Sequence, residues 1–394
     1  MRAWHFTEMP YPNLPPLDTM KNTRVTIPSR LFDPKIGADL YNRYLDEYII
    51  ADELGLDIML NEHHASAGCI DSCVPLPAAI LARQTRKARI LILGNPIANR
   101  GEPVRIAEEM AMIDCISRGR LDVGFVRGVT TEINPSNSNP TMTLERLWEG
   151  IDLATRAWTT LDGPFNYEGR FWHKRAVNAW PRPYQQPHPP IWITGSTDRE
   201  NVRKVAGHGF TFATFLQPYE NTRALFDIYR EHYVDAGVPG QGGTAFMPLV
   251  YTSDSQTDAE QGAQELLWYT RSNITEPQFK NPPGYVPLSF AVLALQGKFG
   301  GRTAAVRARG LDYMMEQGIV IAGTPDKVAA RIRLLHEQVG GFDHLLMMQQ
   351  AGHLDHKRTV RSMTLFAKEV YPQIRDLPST VKVNAPTEAL ATAK

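Results

Sequence analysis

The chain has 394 residues with 43% in the hydrophobic set, too long and too apolar for a disordered chain or a disulfide-stapled miniprotein. Its 42 Lys and Arg balance 42 Asp and Glu, so there is no basic excess to neutralise a nucleic-acid backbone. Three cysteines do not make a secreted disulfide framework, residues 1–8 carry no signal-like apolar stretch, and no run reaches the roughly 18 apolar residues of a membrane span, so a cytoplasmic protein without nucleic-acid or membrane partners is predicted.

In chain order, a strand is predicted at 3–6, then a helix at 38–54 with Leu40, Tyr44, Ile49, Ile50 and Leu54 at helical spacing and Gly55 as C-terminal cap. A strand at 57–61, a helix at 76–85 and a strand at 89–94 follow; Ile90-Leu91-Ile92-Leu93 is continuously apolar, as in a parallel strand covered on both faces. Next come a helix at 104–116, a strand at 121–126 and a helix at 144–158. Residues 163–190 hold Pro164, Pro181, Pro183, Pro187, Pro189 and Pro190, which exclude a regular helix and predict an ordered insertion. Strands at 190–194, 209–215 and 246–252 alternate with helices at 201–207, 219–236 and 259–269. Residues 272–309 break the rhythm again and are predicted to form a lid. A helix at 326–339 is signalled by Thr324 and Pro325, and a strand at 344–348 follows. About eight strands alternating with helices predict an α/β protein, a (β/α)8 barrel over residues 1–377, with insertions near 163–190 and 272–309 and a flexible tail at 378–394.

Three segments could carry chemistry. Asn61-Glu62-His63-His64 follows Ile58-Met59-Leu60, at the strand end where barrel active sites lie. Alternation puts Asn61 and His63 on one side and Glu62 and His64 on the other. Glu62, His63, His64, Cys69, Asp71 and Cys73 crowd together, but the spacing is not that of a structural zinc site, and no metal is predicted. Arg127-Gly128 ends the fourth strand and offers a fork of donors to a phosphate, or to a carboxylate of the rim. Gly195-Ser196-Thr197 joins a strand to a helix, where N–H groups bind anions or are capped by Ser196, Thr197 or Asp198. Gly240-Gln241-Gly242-Gly243 follows a helix, the wrong order for a dinucleotide loop, and serine-hydrolase and phosphate-loop motifs are missing.

Glu62-His63-His64, Pro103-Val104-Arg105-Ile106-Ala107-Glu108-Glu109-Met110, Ser117-Arg118-Gly119-Arg120 leading into Val126-Arg127-Gly128, Pro190-Ile191-Trp192-Ile193-Thr194-Gly195-Ser196 and Ala322-Gly323-Thr324-Pro325 together resemble the bacterial luciferase-like flavin monooxygenases, from the first strand to about Leu377. The resemblance implies a barrel that binds reduced FMN (FMNH2) from a separate NAD(P)H:flavin reductase. It also implies O2 as co-substrate, a C4a-(hydro)peroxyflavin, and hydroxylation or Baeyer–Villiger oxidation of a small organic molecule. It implies proton handling by His63, with His64 beside it, and phosphate binding by Arg127, Gly195, Ser196 and Thr197. Asn95 aligns with the third strand's end, near which a non-prolyl cis peptide at Gly94–Asn95 is expected. Ser196 stands where luciferase has an acid and Val126 where it has a reactive cysteine, so light emission is not implied. Within the superfamily the alternatives are a deazaflavin (F420)-dependent hydride-transfer enzyme and a catalytically silent flavin-binding subunit; a homodimer is expected.

Overall fold

A computed structural model describes residues 1–195, 198–280, 284–285, 287–289, 292 and 309–381. Among them the strands in chain order are β1 (Arg2–Thr7), β2 (Asp57–Leu60), β3 (Ile90–Asn95), β4 (Leu121–Phe125), β5 (Phe165–Glu168), β6 (His173–Val177), β7 (Ile191–Thr194), β8 (Thr211–Phe215), β9 (Thr244–Met247), β10 (Leu249–Thr252), β11 (Val320–Gly323) and β12 (His344–Gln350). Eight of these, β1-β2-β3-β4-β7-β8-β9-β12, form a parallel sheet that closes through β1 and β12, with Arg2 opposite His344 and Phe6 opposite Met348. The predicted barrel is present, with helices such as Pro34–Glu53, Pro75–Gln84, Pro103–Ser117 and Thr143–Thr159 between its strands.

The helix Pro34–Glu53 ends as the position of Gly55 predicts. Gly55 takes φ 78°, and the Gly55 and Leu56 N–H groups return to the carbonyls of Asp52 and Ala51, a closure that favours glycine. The Asp52 carboxylate then accepts from the backbone N–H groups of Arg86, Lys87 and Ala88 at 2.9, 2.8 and 2.6 Å, tying this helix to the turn that launches β3.

The barrel interior is packed rather than hollow. Trp4, Phe6, Met59, Leu91, Leu93, Trp192, Met247, Leu346 and Met348 form its core. Toward the N-terminal end, Trp4 and Trp192 meet edge to face at 5.5 Å and the Trp4 indole N–H donates to His344 Nδ1 at 3.3 Å, an acceptor kept neutral by burial. Below them Arg2 grips Asp57 and Arg89 grips Asp122, closing the floor with ion pairs. That leaves the C-terminal strand ends for ligands.

Four expectations need correction. The strand predicted at 246–252 is two, β9 and β10, because Pro248 lacks an N–H; β9 runs beside the first half of β12 and β10 beside the second. β11 was not predicted: its four residues pair with β10 outside the closed ring. The helix predicted to reach residue 236 stops at His232, and the one predicted over 259–269 divides into Gln256–Leu266 and Trp268–Arg271. The peptides from residue 93 to 97 are all trans, the cis bonds among the described residues being Trp180–Pro181 and Gln186–Pro187. A bulge between Leu93 and Asn95 interrupts the register of β3 with β4 there, on trans peptides.

The proline-rich insertion is non-helical, and begins as the antiparallel hairpin β5–β6. Its buried Gln185 then donates to Asp114 at 2.8 Å and to the Leu121 carbonyl at 2.7 Å. Most of the lid predicted at 272–309 lies outside the described residues, as do positions 382–394 of the tail; Ser379 and Thr380 hydrogen-bond to Asp343. No helix among the described residues is long and apolar enough to cross a membrane.

At Gly94 an added Cβ would stand 2.6 Å from Asn61 Cα, so the ends of β2 and β3 meet backbone to backbone. Gly94→Ala should therefore lower stability by about 1–3 kcal/mol, the range for overpacking a rigid site. Urea denaturation checks this, and an unchanged midpoint would show that the contact yields.

Candidate functional site

β2 delivers Asn61 to His64 to the mouth as the alternation predicts. Asn61 Nδ2 donates to Glu8 at 2.8 Å and His63 Nδ1 donates to Glu132 at 2.8 Å, while Glu62 and His64 turn to the other side. Glu62 is buried. One of its oxygens accepts from His64 Nε2 at 3.2 Å and the other from the Val74 N–H at 3.0 Å, where the helix Pro75–Gln84 begins. A carboxylate suits that helix end, whose N–H groups lack internal partners. The Glu62 hydrogen bond and charge outweigh partial burial and raise the His64 pKa.

Glu132 reaches His63 from the short helix Thr130–Ile133 after β4. Its second oxygen accepts from the Val129 N–H at 2.7 Å, and Thr131 donates to the first. Burial alone would raise its pKa, but His63 and these donors hold it down at about 2. Burial would likewise depress His63; the Glu132 charge and hydrogen bond prevail and hold it above 6.5. An ionised carboxylate only accepts, so Nδ1 carries the proton and Nε2 is left to act toward the mouth.

The other candidates lie at the ends of β3, β4 and β7. Arg127 is exposed, and its guanidinium has no hydrogen bond or ion pair among the described residues. Phe125 pairs with Ile193, so Arg127 and Gly195 each stand two residues beyond the same rung on adjacent strands. Gly128 (φ 76°) lies against Asn99, where a Cβ would come within 2.2 Å of Nδ2; that nitrogen donates to the Arg127 carbonyl at 2.9 Å. The Gly195 N–H is taken by the Ala213 carbonyl at 3.0 Å, so it is no donor for a ligand, and a Cβ there would come 2.9 Å from the Phe212 ring. Asp198 caps the helix that follows, accepting from the Asn201 N–H at 3.0 Å. Ser196 and Thr197 lie outside the described residues. Asn95 is buried, with Nδ2 4.0 Å from Met110 of the surrounding helices and Oδ1 unpartnered; its carbonyl accepts from Ile97 and Val126. The structure therefore gathers His63, Arg127 and Gly195 on neighbouring strand ends, turns His64 toward Glu62, and sets the Asn95 side chain in the wall.

Sequence reasoning missed Glu132 and Glu8. Neither sits in a motif, and the only available signal was a carboxylate five residues beyond the strand-end arginine. Burial pushes the Asp71 pKa up to about 8, and the Asp71 carbonyl accepts from the His63 N–H at 2.9 Å. Among the described residues no three His, Cys, Asp or Glu side chains converge to hold a metal ion.

Because folding raises the His63 pKa, its contribution to stability is complete below 6.5 and is lost as pH climbs through the raised value. Folding lowers the Glu132 pKa, so that contribution is complete above 4.5 and fades as pH falls toward 2. The pair thus stabilises most between these limits. Glu132→Gln should return the His63 pKa to 6.5 or below, measured by NMR titration of the ring; an unmoved titration would show that the carboxylate does not control the imidazole.

Comparison with known proteins agrees with this architecture. The family model for luciferase-like monooxygenase matches residues 33–341. The oxygenase component of the flavin-dependent trigonelline monooxygenase of Acinetobacter baylyi is 29% identical over 245 residues, 60% of this chain and 66% of that protein. The chain thus spans just under two thirds of that relative. The oxygenating constituent of 3,6-diketocamphane monooxygenase from Pseudomonas putida, solved with FMN, superposes with TM-score 0.67 at 18% identity, covering 95% of this chain and 98% of that one. An F420-dependent secondary alcohol dehydrogenase superposes with TM-score 0.64 at 15% identity, covering 88% of this chain and 96% of that one. With its barrel, its paired strand-end residues and a family match over most of its length, the chain belongs to the luciferase-like monooxygenase family.

Proposed function

We propose that this protein is the oxygenase component of a two-component monooxygenase, which binds FMNH2 from a separate NAD(P)H:flavin reductase and uses O2 to hydroxylate a small organic substrate or insert oxygen into it. The observation that carries this reading is a strand-end imidazole fixed by a buried carboxylate, with a free guanidinium two strands away. Arg127 fits a phosphate in charge and fork geometry. Bound reduced flavin supplies the electrons that activate dioxygen.

The remaining work belongs to the chain. His63, anchored through Nδ1, holds or releases a proton at Nε2 near neutral pH, and Glu132 fixes its tautomer and raises its affinity for that proton. His64 serves as a positioning residue through Glu62 and the helix that Glu62 caps. The packed interior of tryptophan, leucine and methionine beneath the mouth keeps water from below.

Anaerobic titration with dithionite-reduced FMN is expected to give saturable binding, weakened about 10- to 100-fold in Arg127→Ala, the value of a charged hydrogen-bonding pair. Binding of reduced F420 in place of FMN would overturn the reading in favour of hydride transfer. His63→Ala should keep FMN binding and remove the pH step from reoxidation of the bound flavin by O2; an unchanged profile would deny His63 its proton role.

A homodimer is part of this proposal. Leu76 and Ile80, one turn apart, are 65% and 42% exposed, and Met112 and Ile116 on the adjoining helix are 53% and 42% exposed. Four large apolar side chains on two neighbouring helices form a patch suited to burial against its own copy. Met112→Glu should convert the dimer to monomer in sedimentation analysis; a monomeric wild type would refute the assembly.

A further inference from the structure

We propose that Arg24 is the anchor for a carboxylate group of the substrate, so that the site takes small organic acids; this rests on the function proposed above. Arg24 is 5% exposed, and its Nε and Nη2 nitrogens have no hydrogen-bond partner. A buried guanidinium left in that state costs free energy that an anionic ligand would return.

The backbone around Arg24 is tightly held. The Thr23 N–H and carbonyl bond to Ile274 and Ala67, and the Val25 N–H bonds to Ala65, so residues 23–25 lie between two other segments of the mouth. The side chain runs inward over the Tyr269 ring, with Cζ 6.0 Å from its centroid. A Cβ added at Gly68 would come 3.3 Å from Nη2. Arg24 acts electrostatically on His63 and Cys69, and the Tyr269 hydroxyl interacts with both Arg24 and Glu8, so the Arg24 charge lies in the neighbourhood of the proposed proton-handling imidazole. Glu8 shares this neighbourhood and accepts from Asn61, but forms no ion pair with Arg24 among the described residues.

The identity of the two idle nitrogens indicates the ligand. Nε–H and one Nη2–H point the same way and match the two oxygens of a carboxylate. Among the described residues that edge is used three times. Arg2 holds Asp57 through Nε and Nη2 at 2.8 and 3.1 Å, Arg89 holds Asp122 at 3.1 and 2.5 Å, and Arg361 holds Asp254 at 2.9 and 2.5 Å. Arg24 presents the same edge with nothing on it, inside the mouth rather than on the floor or surface.

The test is binding of benzoate, pyridine-3-carboxylate and hexanoate, each against its primary amide, to the full-length protein with and without reduced FMN, by calorimetry. At least one acid should bind about 10- to 100-fold more tightly than its amide, and Arg24→Gln should abolish that preference while reduced FMN binds as before. Arg24→Lys, which keeps the charge and loses the fork, should recover only part of it. Acids and amides binding alike, no acid binding at all, or a preference that survives Arg24→Gln would overturn the proposal. Should Arg24→Gln fail to fold, the wild-type contrast and Arg24→Lys decide. FMN binding without acid preference would sink this inference alone, and acid preference without FMN binding would sink only the flavin reading.

Discussion

The hydrogen bond between His63 Nδ1 and Glu132 Oε1 is the constraint on which the mouth of this barrel depends. It joins a loop after β2 to a loop after β4, bridging over β3, and therefore requires the three strand ends to hold one geometry. Glu132 is committed on both oxygens, to His63 and Thr131 on one side and to Val129 on the other, so it has no freedom to swing away. Desolvation opposes charge on both partners; their mutual attraction decides the outcome, which is why an imidazole in a partly dry site keeps a high proton affinity.

The two ends of the barrel divide their tasks. At the floor Arg2 pairs with Asp57 and Arg89 with Asp122, the buried Arg120 is held by backbone carbonyls and Thr85, and aromatic rings fill the space above them. At the mouth, among the described residues, the exposed Arg127 and the buried Nε–Nη2 edge of Arg24 stand without partners, and Asn95 keeps an unbonded oxygen. Unmet bonding capacity beside the strand ends marks a place suited to ligands.

The barrel was legible in the chain because strands covered on both faces leave continuous apolar runs and the intervening helices carry clear boundaries such as Gly55 and Thr324-Pro325. β11 was not, since four residues beside a helix give too short a signal, and the division at Pro248 was masked by an otherwise uniform apolar stretch. At the site, strand-end position and alternation put His63 and His64 on opposite sides, and the structure has them so, His63 on Glu132 and His64 on Glu62. Glu132 was hidden, because a carboxylate from another loop has no fixed spacing to the residue it meets. Arg24 was hidden for the same reason: its surroundings come from residues 65–68 and 269–274, far apart in sequence. The expected cis peptide rested on the family alignment rather than on a local signal, and the strand end bulges at Gly94 on trans peptides instead.

Cys69 lies in the same loop, its sulfur 3.7 Å from Asn61 Oδ1. Burial pushes its pKa well above that of a free thiol, so it stays protonated. Only the thiolate reacts readily with oxidants. The buried Cys69 sulfhydryl is thereby kept in its unreactive form beside the strand end that carries His63, while Cys73 is partly buried and Cys115 exposed.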